Sequence, residues 1–523
     1  MKNFIFVLIT AFFPISVSGQ EDDYEIGKRY YDNNDYHNAF TYFQKAASDG
    51  DYNAQYFLGI MYLEGEGIPT DNSKAFEWIQ RAAEQEHMYA QNQIGEMFYS
   101  GTGVKKDINK AIMWITKSAN RGYDVAQYNL GYIYYHEMLD SDKAFPWFQK
   151  AADQGNAYAQ NEIGSKYYYN GDYTNSLIWL NKSAIQNNDN AQYLLGRMYA
   201  NGQGVNQDFY KAYDFLSQSA NQGNSEAQVG LGYLFLNGQG VNRDYVKAFE
   251  WFSSSANQGN YQAAQALGTM YYNGTEINKD YKLAFEWFTK GTEGLPVVNN
   301  DSKYYLGLMY YKGQGVKQDY EMAAKWFFDA ANFHDPRSQY RLAKMYFDGK
   351  GVKQDYSSAI EWMTKAAEKN NFALAQYQLG VWYFKGEGIK QDYALSEYWL
   401  KKSIEQKPKD SRPYAYLASL YCKRDNNYID AEQMIDMAIE RSSKLENETQ
   451  AEIYALKGQI ALKNNNVIKA QEILAKCIEL YPNFMNSSYP FAKEMAELNS
   501  NGVDTEIIIN SSTNTHTFAV IVG

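Results

Sequence analysis

The sequence predicts an all-α protein, an α-solenoid superhelix of stacked antiparallel helical hairpins. Three observations predict it. One phrase recurs along the chain at a nearly constant interval. Within each phrase, apolar and small residues fall at helical spacing. Between its two halves stands a glycine turn closed by an aspartate, the chemistry of one helix ending and another beginning. The phrase is clearest from Ala227 to Gly259. Its opening glutamine recurs at Gln55, Gln91, Gln127, Gln160, Gln192, Gln228, Gln265, Gln339 and Gln376, with Lys303 in the same slot. The steps are 36, 36, 33, 32, 36, 37, 38, 36 and 37 residues. A period in this range marks a solenoid of repeated supersecondary units.

One unit explains the rest. Ala227, Leu231, Leu234 and Phe235 share one helical face, and Gly230 and Gly232 between them let a second helix approach closely. A glycine inside a helix costs roughly 0.5–1 kcal/mol against alanine, so packing must offset it. Gly238 suits the left-handed position after a helix, Gly240 permits a second sharp turn, and Asp244 is placed to cap the helix that follows. That helix carries Ala248, Trp251, Phe252 and Ala256 on one stripe. Tryptophan holds the same position at Trp78, Trp114, Trp147, Trp179, Trp287, Trp326, Trp362 and Trp399, with Phe215 once in its place. A large aromatic at a fixed slot reads as inter-helix core rather than a ligand box. Gly-x-Gly alone does not make a dinucleotide site, which needs a third glycine and a preceding strand.

The phrase Gly-Gln-Gly-Val…Asp-Tyr…Ala…Trp…Ala-Asn-Gln-Gly resembles the Sel-1-like repeat family, a relative of the tetratricopeptide repeat. Its loop stands also at Gly65–Ile68, Gly101–Val104, Gly202–Val205, Gly313–Val316, Gly349–Val352 and Gly386–Ile389. The resemblance spans residues 24–406 and implies a curved stack whose concave face binds a protein or a peptide. Some secreted relatives carry one disulfide per unit. Here only Cys422 and Cys477 occur, so activities of the cysteine-rich members do not transfer; both read as separate buried thiols.

Taken in order, residues 1–19 read as a signal peptide: Lys2, an apolar run from Phe4 to Phe13, then small residues up to Gly19. The predicted location is secreted or periplasmic, or the endoplasmic-reticulum lumen in a eukaryote. A retained anchor is the alternative to cleavage. Residues 20–50 form a worn capping unit of tetratricopeptide type, and 51–406 the repeat array. Two units lack the glycine loop, with His136–Asp142 and Asn170–Tyr173 as shorter turns; Phe145-Pro146-Trp147 places proline in a helix's first turn. The stretch Gly291–Asn300 is an insertion and a hinge candidate. Residues 407–498 read as further tetratricopeptide-like hairpins, and 499–523 as a polar linker ending in the apolar run Phe518–Gly523. That run resembles the first core strand of a caspase-like peptidase. This would make the chain the recognition arm of a longer enzyme truncated at Gly523; a tail pairing with a partner's sheet edge is the other reading.

A net charge of −12, with 49 basic against 61 acidic side chains and no dense basic run, argues against nucleic-acid binding. No apolar run beyond the N-terminus reaches spanning length, so no membrane insertion is expected after cleavage. The five histidines are scattered without ligand spacing, and none is placed beside a cysteine; no metal, cofactor or catalytic residue is predicted. The 49 tyrosines exceed what a helical core uses and suit protein recognition. The expectation is a monomeric binding scaffold without catalysis. Its groove candidates are the variable residues after the fixed glycine of each first helix, Tyr132, Arg197, Tyr233, Thr269, Leu308 and Lys344.

Overall fold

A computed structural model describes residues 22–293, 299–369, 371–443, 445–486 and 489–500. The signal peptide at 1–19, the apolar run Phe518–Gly523 and residues 294–298 of the hinge candidate Gly291–Asn300 lie outside the described residues. The chain divides into two compact units, Met1–Asn260 and Tyr261–Gly523. In the first, seven antiparallel hairpins follow one another from Asp23–Asp32 with Tyr36–Ser48 to Ser225–Asn237 with Tyr245–Asn257. In the second, six hairpins run from Tyr261–Asn273 with Tyr281–Lys290 to Asn447–Lys463 with Val467–Leu480. A short 3-10 turn at Phe484–Asn486 and the helix Pro490–Ser500 follow. All described regular elements are helices, so the fold is all-α and each unit is a stack of the solenoid kind.

The capping chemistry sets the element boundaries. Asp244 accepts from the Lys247 backbone N–H at 3.0 Å, and Asp71, Asp107, Asp208 and Asp319 do the same at their helices. Gly238 closes the preceding helix at φ +69°. Gly240, also at φ +69°, has a second reason to be glycine: a Cβ there would stand 2.3 Å from the Phe209 carbonyl oxygen. The loop of one hairpin thus lies directly on the helix start of the hairpin before it.

Within most hairpins the two helices meet through a glycine. A Cβ on Gly232 would stand 2.4 Å from the Phe252 ring, and one on Gly95 2.4 Å from the Ile115 side chain. Gly131 faces Phe148, Gly196 faces Leu216 and Gly307 faces Phe327 in the same way. These partners are fully or almost fully buried. Each is the residue after the tryptophan slot. The tryptophans themselves, Trp399 apart, are half-buried. Trp78, Trp147, Trp179 and Trp251 pack back on clusters that include the preceding hairpin's second helix. Six of the tryptophans carry the cation three residues on over the ring, as with Lys117 over Trp114 at 4.0 Å and Lys182 over Trp179 at 4.2 Å. Of the two aromatics that the sequence places on one stripe, the second is therefore the one that meets the glycine.

Glutamine ties consecutive hairpins. The Nε2 of Gln55, Gln91, Gln127, Gln160, Gln192 and Gln228 donates to the carbonyl eight residues earlier, at 3.1–3.3 Å, near the end of the preceding helix. A closing glutamine then donates back to the same side chain, as Gln258 does to Gln228 at 2.9 Å. Gln265 does not hold this slot. Gly268 facing Phe288 places Ala264 four residues before it, and Gln265 donates instead to Asp301 at 3.3 Å.

Two local expectations also change. Asp140 caps the helix Ser141–Asp153, so Pro146 lies in its second turn and leaves the Asp142 carbonyl without its intrahelical donor. Both cysteines are free, but only Cys477 is buried; Cys422 is half-exposed because its helix face borders the surface. Burial pushes both thiols up, Cys422 to about 11 and Cys477 to about 12.

Replacing Gly232 by alanine should destabilise the first unit by about 1–3 kcal/mol, because the rigid Phe252 ring must move. The roughly 1 kcal/mol that alanine returns in helix propensity only reduces that loss. One unit uses alanine naturally: Ala343 at the same position is followed by Met363 in the core slot. The double variant Gly232→Ala/Phe252→Met should recover most of the loss in melting temperature, since the thioether chain can bend aside.

Candidate functional site

The frame consumes the fixed residues of each first helix and leaves a variable face between them. In the first unit that face begins with a ring cluster. His87 lies 4.8 Å from Tyr56 and 5.6 Å from Tyr89, which meets Tyr123 edge-on at 5.0 Å. His87 also replaces the usual Asn or Asp cap, its Nδ1 accepting from the Ala90 N–H at 3.1 Å. Burial holds this imidazole down to about 4, so it is neutral at ordinary pH.

Beside the rings lies a buried amide–carboxyl network. Asn92 donates to Glu96 at 2.7 Å, and Asn129 from the next hairpin donates to Glu96 at 2.8 Å and to Asn92 at 3.2 Å. Glu96 is 4% exposed. Burial raises its carboxyl to about 8, although both amide donors favour the charged form. Desolvation, with Glu96 nearby, also raises the Tyr56 and Tyr123 hydroxyls.

The third feature is a cavity of about 420 Å³ where the glycine loops are missing. It collects Tyr135 and Phe145 from the hairpin of Asp124–His136 and Ser141–Asp153. Asn161, Glu162 and Lys166 come from Ala157–Tyr169, and Tyr193 from Asp189–Asn201. Elsewhere the second loop glycine packs on the previous hairpin, as Gly204 does on Tyr173. The turns at Glu137–Asp140 and Asn170–Asp172 supply no such loop, and the space stays open. Asn161 donates to Glu162 at 3.4 Å, and burial lifts the Glu162 carboxyl to about 7.

The six residues singled out from sequence share a register but not an environment. Tyr132 is half-buried against Tyr128 and 4.4 Å from the His136 ring. Arg197 donates to the Tyr193 hydroxyl at 3.3 Å, with its guanidinium 5.6 Å from that ring and 5.7 Å from Tyr168. Tyr233 is exposed and meets Phe252 edge-on at 5.1 Å. In the second unit, the Thr269 hydroxyl donates to its own helix at the Gln265 carbonyl, 2.9 Å away. Leu308 is 6% exposed and belongs to the cluster of Ala323, Phe327 and Leu342, while Lys344 is half-buried. None of the six lines the cavity. Asn161 and Glu162, which do, stand three and two residues before the glycine, where other units carry Tyr56 and Phe57, Val229 and Gly230, or Asn92 and Gln93, so the sequence did not single them out.

Among the described residues no group of three or more histidine, cysteine or acidic side chains is placed to hold a metal ion. No described helix is long and apolar enough to cross a membrane. The arrangement offers hydrogen-bond acceptors, aromatic faces and a sheltered carboxyl.

Comparison with known proteins agrees with this geometry. The Sel1 repeat model matches eleven successive segments: 24–51, 53–87, 89–123, 124–156, 157–188, 189–224, 225–260, 262–294, 300–332, 336–371 and 373–408. The crystal structure of c5321, a protective antigen present in uropathogenic Escherichia coli strains, is 28% identical with a TM-score of 0.66. The alignment covers 92% of this chain and 99% of that one. A Sel1 repeat protein from Oxalobacter formigenes is likewise 28% identical over 47% of this chain and 96% of its own, with a TM-score of 0.44. No curated protein matches the chain.

The buried carboxyls set a pH dependence whose sign is fixed. An unfolded glutamate ionises near 4.5, whereas folded Glu96 keeps its proton to about 8. The folded chain therefore holds the extra proton between these values, and stability is lost as pH rises through that window. The slope from this one group is at most about 1.4 kcal/mol per pH unit. Glu162 adds the same sign up to about 7, and His87 opposes both below pH 6.5. Thermal melting of Glu96→Gln should show a flatter decline between pH 5 and 8 than the unsubstituted protein.

Proposed function

The chain belongs to the Sel1 repeat family, and on that premise we propose that it is a non-catalytic scaffold that binds a protein or peptide segment. Proteins of this repeat type are typically interaction scaffolds, and stacked hairpins present a long continuous face to a partner. The segment lies along the face of the first helices. One observation carries the reading. The repeated frame is buried almost completely, while the variable positions on the same helices keep Tyr132, Arg197 and Tyr233 half-buried or exposed. Tyrosine and arginine held in place by neighbouring rings are the residues that dominate binding energy at protein interfaces. The location we propose is secreted or periplasmic, supported by Lys2 and the apolar run from Phe4 to Phe13.

Two measurements test this. Random dodecapeptides displayed on phage should be enriched on the full-length mature chain. Arg197→Ala should then weaken the enriched peptides about tenfold, roughly 1.4 kcal/mol, while Val246→Ser on the exposed side of a second helix should leave them unchanged. No enrichment, or equal loss from both variants, removes the scaffold reading or its placement on the first helices. For location, N-terminal sequencing of the protein from its native host should begin at Gln20; an intact Met1 start in the cytoplasmic fraction would sink the export proposal.

A further inference from the structure

The cavity at the two short turns has a property that its polar character alone does not explain. Asn161 is 5% exposed, and its side-chain oxygen has no hydrogen-bond partner among the described residues. A buried acceptor left unpaired costs about 1–3 kcal/mol, and a donor brought in by a partner would remove that cost. Glu162 lies beside it, bonded only at 3.4 Å by the Asn161 amide and without an ion-pair partner among the described residues. The Asn161 amide and the Glu162 carboxyl thus both line one space of about 420 Å³.

The walls add aromatic faces, and the neighbouring cations show how these are used. Lys166 stands one turn after Glu162 but lies over the Phe145 ring, 3.8 Å from its centroid, instead of pairing with the carboxyl. Arg197 covers the face of Tyr193 at 5.6 Å. Tyr135 completes the lining. Rings here attract positive groups, and a net charge of −12 draws basic partners towards the chain.

We propose that this cavity receives the cationic side chain of a partner segment, arginine in preference to lysine. A guanidinium presents several donors in a planar fork, so it can serve the Asn161 oxygen and the Glu162 carboxylate together while stacking on tyrosine. An ammonium satisfies one acceptor well and stacks less. The inference rests on the reading of the chain as a peptide-binding scaffold and adds the chemistry of the bound residue.

The test uses the full-length chain and three capped pentapeptides with arginine, glutamine or glutamate flanked by glycines, titrated by calorimetry. The arginine peptide should bind at least tenfold more tightly than the glutamine peptide. Glu162→Gln, which keeps the side chain's shape, should abolish that preference without lowering the melting temperature. Lys166→Met, at an exposed position, should tighten arginine binding several-fold by removing a like charge from the rim. A tighter glutamate peptide, weaker arginine binding by Lys166→Met, or an arginine preference that survives Glu162→Gln would each overturn the proposal. If displayed peptides are enriched but ignore Glu162→Gln, this site falls and the scaffold reading stands. If none is enriched and the arginine pentapeptide does not bind either, both readings fall.

Discussion

A missing methyl group organises this protein. In hairpin after hairpin the first helix offers a glycine where the second offers its largest buried side chain, and the gap to an added Cβ would be only 2.4–2.8 Å. Such distances admit no side chain against a ring or a branched chain, so the closest approach of the two helices is set by backbone. The cost of glycine in a helix, roughly 0.5–1 kcal/mol each, is offset by dense contact around Ile79, Ile115, Phe148 or Phe252. Where Ala343 replaces glycine, the facing residue is Met363, the one unbranched flexible chain of the series. The exception keeps the constraint visible.

Fixing the hairpin fixes what joins one hairpin to the next. The same first helix that carries the glycine carries the slot glutamine four residues earlier, and its amide reaches the carbonyls at the end of the preceding helix. Those carbonyls are orphaned by the geometry of any helix end. Buried serines serve the opposite end, with Ser219 and Ser255 donating to the carbonyls of Asp189 and Ser225 at 2.8 Å. The loop glycines close the third contact by lying on backbone. Polar ties of this kind cost little if every member is paired, and they specify one stacking register where apolar contact alone would allow several.

Much of this was legible because repetition averages out local ambiguity. The period, the caps Asp71 to Asp319, the packing role of Gly232 and the left-handed Gly238 all follow from residue chemistry read several times over. What escaped was whatever differed by one position or lay in three dimensions. Gln265 mimics the slot glutamine because Ala264 beside it fits the same pattern, and only the Gly268–Phe288 contact assigns the register. Trp251 and Phe252 read alike as one stripe, and only the structure shows that Phe252 meets the glycine while Trp251 packs on the neighbouring cluster. Pro146 was set one turn too early because the cap at Asp140 was not recognised. Leu308 shares a register with Tyr233 but is covered by its neighbours, which no single repeat can reveal.

The site follows from the same logic in reverse. A frame that spends its glycines and glutamines on packing leaves recognition to places where the frame is relaxed. Of the two units that lack the glycine loop, the second also places Asn161 and Glu162 ahead of its glycine, where Tyr56 and Phe57 or Val229 and Gly230 stand elsewhere. Shorter turns open the space, and the polar substitutions furnish it. Each change alone would be a defect: an empty gap in one case, an unpaired buried acceptor in the other. Together they put an unpaired buried acceptor and a carboxyl beside one open space, on a single stretch of an otherwise regular array.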